Sequence, residues 1–222
     1  MFLFGSSFLI LLPAITLAAY AQWKVRSTYA KYSTVEAFNR VTAQQAAETI
    51  LTGAKITDVT IESSHRRLSD HYDPRKKVLR LSAPTSSSIA AIGVAAHEAG
   101  HAIQHAHSYQ PLSLRTAIVP IANFGSQLAF PLFFIGLFAR MQPLVTAGII
   151  AFSAAVFFTL ITLPVEFDAS RRAIVALRET AIVNEEELGS VKEVLFAATL
   201  TYVAAAAMAA LQLLMLLSVS RR

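Results

Sequence analysis

The stretch AAHEAGHAIQHAH, residues 95–107, sets four histidines and one glutamate close together in an otherwise apolar run. Titratable groups are expensive to bury, so this density calls for a chemical reason. His97-Glu98-Ala99-Gly100-His101 matches the H-E-x-x-H pattern. On a helix, residues four apart lie one turn apart and differ in direction by only about 40°, so His97 and His101 can grip one ion. Glu98 stands about 100° round the axis from His97, beside such an ion, where its carboxylate can take a proton from bound water. The chain has no cysteine, so a metal site must use His, Asp and Glu, a donor set suited to zinc.

Two histidines do not complete a zinc site. His107 occupies the third-ligand place of the longer motif in which a glycine breaks the helix, but the residue at that glycine position here is Gln104. An unbroken helix points His107 about 120° away from His101. His105 shares the face of the pair but lies about 12 Å along the axis from His97. Both are expected to be neighbours of the site. Glu166 and Asp168, in TLPVEFDASRRA (162–173), are the stronger candidates. Two apolar runs separate them from His101, which returns the chain to the same membrane face, and a carboxylate there is costly unless paired or metal-bound. The competing reading of Glu166 is a helix-start carboxylate behind Pro164, favoured by the helix dipole and paired with Arg171 or Arg172. His71, Tyr72, Tyr109 and Arg171 are candidates to stabilise an oxyanion, and Asp168, Ser170 and His105 to support the ligands or face the substrate.

The elements that must position these groups follow from charge and periodicity. Hydrophobic residues make up 55% of the 222, charged residues only 15%, and mean hydropathy is +0.51. Residues 1–23, 116–139, 141–165 and 194–220 contain no Asp, Glu, Lys or Arg, and each is long enough to cross a bilayer as a helix. Four spans are therefore expected, the first as an uncleaved anchor although Ala19-Tyr20-Ala21 resembles a signal-peptide cleavage site. The net charge of +5 reads as membrane topology rather than nucleic-acid binding. Twelve of the nineteen Lys and Arg lie in 24–115 and four in 171–192, which places both polar segments in the cytoplasm. The terminal Arg221–Arg222 pair opposes that arrangement.

Between the first two spans, residues 33–55 read as an amphipathic helix capped by Ser33 with Glu36, and 56–64 as a strand. Residues 70–77 read as a turn at Asp73-Pro74, 77–82 as a strand whose edge could pair with an extended substrate, and 88–107 as the helix carrying the motif. Residues 166–193 should be mostly helical. The fold class is a mainly α membrane protein with a small α+β, gluzincin-like catalytic part. Its parts are an anchor (1–23), an α+β segment (24–115), two spans (116–165), a helical segment with the third ligand (166–193) and a last span (194–222).

LSDHYDPRKKVLRLS, AAHEAGHAIQH and TLPVEFDASRRA together resemble the bacterial YugP-like family of membrane neutral zinc metallopeptidases, over nearly the whole chain and including AATLTYVAAA in the last span. The arrangement is more distantly similar to the HtpX and CAAX-prenyl membrane proteases. The resemblance implies one zinc held by His97, His101 and Glu166, with Glu98 as general base. Those relatives often carry an Asp four residues after the ligand Glu, where this chain has Ser170. The expected activity is endopeptidase cleavage of membrane proteins or peptides at the cytoplasmic face of the cell (inner) membrane, in contact with the lipid bilayer. A site-2-type intramembrane protease fits His-Glu-x-Gly-His, but those proteins pair the motif with an Asp in a later span, usually in an L-D-G sequence, and the chain has neither that sequence nor an Asp in any charge-free run. A membrane scaffold with a structural zinc would have no use for Glu98.

Overall fold

The computed structural model describes residues 9–64 and 69–220. Among these described residues nine elements follow in chain order: α1 (Leu12–Tyr32), α2 (Ala43–Gly53), β1 (Thr60–Ser63), β2 (His71–Asp73), β3 (Val78–Leu81), α3 (Ile89–Ala106), α4 (Gln110–Phe138), α5 (Gln142–Glu179) and α6 (Glu185–Ser220). They divide into two compact units. One comprises the described parts of 1–22, 113–164 and 200–222; the other comprises 23–112 and 165–199.

In the first unit the spans pack through small residues. A Cβ on Gly148 of α5 would sit 2.7 Å from the carbonyl oxygen of Ala129 on α4, so only glycine admits this approach. Phe133, Val145, Phe152 and Leu216 fill the interior, while Ile121, Phe124, Phe138 and Ile150 point outward. Large apolar side chains on the outside suit lipid rather than water. Among the described residues, α4, α5 and α6 are long and apolar enough to cross a membrane. The expected fourth span, 1–23, falls partly outside the described residues, as does the Arg221–Arg222 pair.

The second unit carries the chemistry-bearing motif. Helix α3 starts at Ser88, whose Oγ accepts from the Ala91 N–H at 3.2 Å, satisfying one otherwise orphaned donor. Ala95, Ala96 and Ala99 are fully buried, and α2 packs against this helix through the equally buried Ala46 and Ala47. Small side chains let the two backbones approach. The sheet order is β1-β3-β2, with β1 parallel and β2 antiparallel to β3.

Several local expectations are corrected. The helix expected over 33–55 occupies only Ala43–Gly53. Thr42 and Gln45 cap each other's backbone, and the preceding segment gives its N–H groups elsewhere, Ala37 to the Ser87 carbonyl and Ala43 to that of Ser86. The turn at 70–77 begins as a strand: His71 pairs with Arg80 and Tyr72 with Leu79, and only then does Asp73 Oδ1 accept from Arg75 and Lys76 to turn the chain. The free edge expected of 77–82 does not exist, because β3 is the middle strand; the edge strand near α3 is β2. Nor does Pro164 start a helix. Helix α5 runs through it to Glu179, since burial of Val165, Glu166, Ala169 and Ala173 on its inward face outweighs one missing N–H. The segment 166–193 is mostly helical, as its sequence indicates, with one break at 180–184, where Ala181 has a positive φ and Asn184 caps the start of α6.

Candidate metal centre

Helix α3 presents His97 and His101 on one face, and α5 presents Glu166 opposite them. Glycine at position 100 makes this possible. A Cβ there would lie 2.4 Å from the Ala169 carbonyl oxygen, so any other side chain would push the two backbones apart. The imidazoles meet edge to face with centroids 4.8 Å apart. Glu166 Oε2 lies 3.1 Å from His97 Nε2 and 3.7 Å from His101 Nε2. One ligand atom from each residue falls within 4.8 Å of the others. Tetrahedral zinc with bonds near 2.0–2.1 Å separates N and O ligands by roughly 3.3 Å, so the donor set and its spacing fit such an ion.

The far side of each ring is also occupied. His97 Nδ1 is 3.1 Å from Ser170 Oγ, and His101 Nδ1 is 3.0 Å from Gln104 Oε1. Gln104 is fully buried, and its Nε2 donates to the Val165 carbonyl at 2.8 Å and to Asp168 Oδ2 at 2.9 Å. With the amide nitrogen committed to two acceptors, Oε1 must accept from His101, which places the proton on Nδ1 and the lone pair on Nε2. Sequence reasoning saw Gln104 only as the residue that is not a helix-breaking glycine. Its spacing of three from His101 was the available signal.

Glu98 Oε2 accepts from the Tyr72 backbone N–H at 2.9 Å, so edge strand β2 orients the carboxylate. The Tyr72 hydroxyl lies 2.8 Å from His105 Nδ1, and burial, assisted by the charges of Asp58 and Asp73, pushes its pKa up to about 12. Tyr72 and His105 line a cavity of about 300 Å³. The other candidates lie elsewhere. His71 is exposed and bonds the Ser69 carbonyl and Arg80. Asp168 accepts from Arg172 at 2.5 Å, Arg172 also reaches His107 at 3.0 Å, and its guanidinium lies over the Tyr109 ring. Arg171 lines a separate cleft.

A model of the family described as "Putative neutral zinc metallopeptidase" matches residues 7–221. The chain is 47% identical over 205 residues to "Putative membrane protease YugP" of Bacillus subtilis (strain 168), covering 91% of each chain. No solved structure matches it.

Proposed function

The chain belongs to the family described as "Putative neutral zinc metallopeptidase", and on that premise we propose that it is a membrane-bound zinc endopeptidase. One zinc would be held by His97, His101 and Glu166. The observation that carries this reading is the convergence of those three ligand atoms within 4.8 Å, with both Nδ1 atoms already engaged. Among the described residues no fourth His, Asp or Glu joins the group, which favours a catalytic over a closed structural site.

Zinc in this place would polarise a scissile carbonyl and bring the pKa of bound water towards about 7. The chain supplies the proton handling. Glu98, held at Oε2 by the Tyr72 N–H, accepts the proton of the attacking water and passes it to the leaving amine. We assign oxyanion stabilisation to the Tyr72 hydroxyl among the four candidates, because its backbone N–H already orients Glu98 and a phenol is protonated, and so a donor, at neutral pH. Helices α4, α5 and α6 hold the enzyme in the cell membrane. The distribution of Lys and Arg supports a cytoplasmic site, and anchorage in the membrane puts membrane proteins or their loops within reach as substrates.

Metal content and peptidase activity of the purified protein, Glu98→Gln and Glu166→Ala test this assignment. Zinc lost from Glu166→Ala, and zinc kept but cleavage lost in Glu98→Gln, are the expected results. Full zinc occupancy in Glu166→Ala overturns the ligand set.

A further inference from the structure

A cleft of about 570 Å³ opens between α2, the end of α3 and the last three turns of α5. Arg171 and Arg172 line one end, with Asp168 and His107 beside them. Ile50, Ile103 and Val175 form apolar walls, and Glu179 closes the other end. Two carboxylates against two guanidiniums would suggest a neutral site, but position decides otherwise. Glu179 is eight residues beyond Arg171 on one helix, about 12 Å away, further than the screening length of about 8 Å at physiological salt. Asp168 is already matched by Arg172. Arg171 has no partner among the described residues, so the near end carries one uncompensated positive charge next to apolar walls.

The same end connects to the metal centre. Arg172 donates to Asp168 Oδ2, the same oxygen accepts from Gln104 Nε2, and Gln104 Oε1 meets His101 Nδ1. Every link is a hydrogen bond of 3.0 Å or less, and Gln104 is sealed from water.

We propose that this cleft is a binding site for a small oxyanion bearing an apolar group, an alkyl phosphate or carboxylate, and that its occupancy tightens metal binding through the Arg172–Asp168–Gln104–His101 chain. The head pairs with Arg171 and Arg172, while the apolar part lies along Ile50, Ile103 and Val175. Two effects of the bound anion share one sign. It adds negative charge near the cation site, and by drawing on Arg172 it leaves Asp168 less neutralised, making His101 a better donor. Linkage requires the metal to tighten the anion by the same factor. The coupling rests on the metal-site reading, whereas anion binding stands independently of it.

The test uses the full-length protein in a non-ionic detergent, titrated calorimetrically with n-butyl phosphate, inorganic phosphate and n-butylammonium. The butyl phosphate should bind at least fivefold more tightly than inorganic phosphate, and butylammonium should not bind. Arg171→Gln should weaken butyl phosphate at least tenfold, while Glu179→Gln changes it less than twofold. Zinc affinity, read by chelator competition, should rise at least threefold with saturating butyl phosphate in the unsubstituted protein and stay constant in Arg171→Gln. A folded protein that fails to bind butyl phosphate, binds it equally well as Arg171→Gln, or prefers butylammonium overturns the site. Anion binding with unchanged zinc affinity overturns the coupling. A protein that binds no zinc while still binding butyl phosphate overturns the metal reading and, with it, the coupling, but leaves the anion site standing.

Discussion

Gln104 Oε1 lies 3.0 Å from His101 Nδ1, and the glutamine has no exposed surface. A neutral amide thus holds the far nitrogen of His101, one of the three proposed metal ligands. Gln104→Met keeps the volume but removes the acceptor for Nδ1 and both donors. Zinc affinity is expected to fall about 10- to 100-fold, measured by chelator competition. Gln104→Glu, which restores an acceptor for Nδ1, should lose less affinity than Gln104→Met; unchanged affinity in Gln104→Met would show that the amide merely fills space.

Glu98 and the water it is proposed to activate are separable from metal binding. Glu98→Gln retains an oxygen for the Tyr72 N–H, so the fold around β2 should persist. Zinc content should stay stoichiometric while peptide hydrolysis drops about 10²- to 10⁴-fold.

Tyr72 is expected to matter through its hydroxyl. In Tyr72→Phe the backbone donor to Glu98 remains, and the lost group is the one held by His105. The rate of cleavage should fall about 10²- to 10³-fold with little change in KM. Unchanged turnover would return the oxyanion role to another donor.

Gly100 faces the Ala169 carbonyl so closely that a methyl group would sit at 2.4 Å. The obstacle is backbone and not a flexible side chain. Gly100→Ala should destabilise the protein by about 1–3 kcal/mol, read as a lower midpoint of thermal unfolding in detergent. Because it also moves α5 away from α3, zinc affinity should fall with it.

The proton balance of metal binding follows from His101. Burial opposes its charging, but the Glu166 hydrogen bond, the Glu98 and Glu166 charges and the Gln104 contact outweigh it, leaving the pKa raised above the ordinary histidine value. In the metal-free protein this stabilisation is fully present below the unfolded pKa of about 6.5 and is lost as pH rises through the folded value. Zinc competes for the same nitrogen, so its binding must expel that proton. Calorimetric titration in buffers of differing ionisation enthalpy should show more proton release at pH 6 than at pH 8, with affinity lower at pH 6.

Much of the machinery was legible before any coordinates. His97, Glu98 and His101 stand at a spacing that only a helix turns into a face, and Ser88 marks where that helix begins. The apolar runs announced α4, α5 and α6, because a bilayer imposes a length that charge-free stretches reveal directly. Local signals misled where tertiary pairing overruled them. Ser33 and Glu36 had the form of a cap, yet Val35, Ala37 and Ala43 exchange backbone bonds with residues 86–89 instead. Pro164 had the form of a helix start, yet burial of one face carries α5 through it.

Type and spacing along the chain determined the helical pair of histidines, the adjacent acid and the membrane-spanning character, since each depends on contacts within a few residues or on bulk hydropathy. Only the tertiary structure decided which atoms face one another across distant segments: Ser170 behind His97, Gln104 on the Val165 carbonyl and Asp168, and the Tyr72 backbone on Glu98. Those are pairings between α3, α5 and an edge strand, and no periodicity within one element encodes the register of another. The close approach at Gly100 fixes that register, because backbone meets backbone there and leaves no room for an alternative.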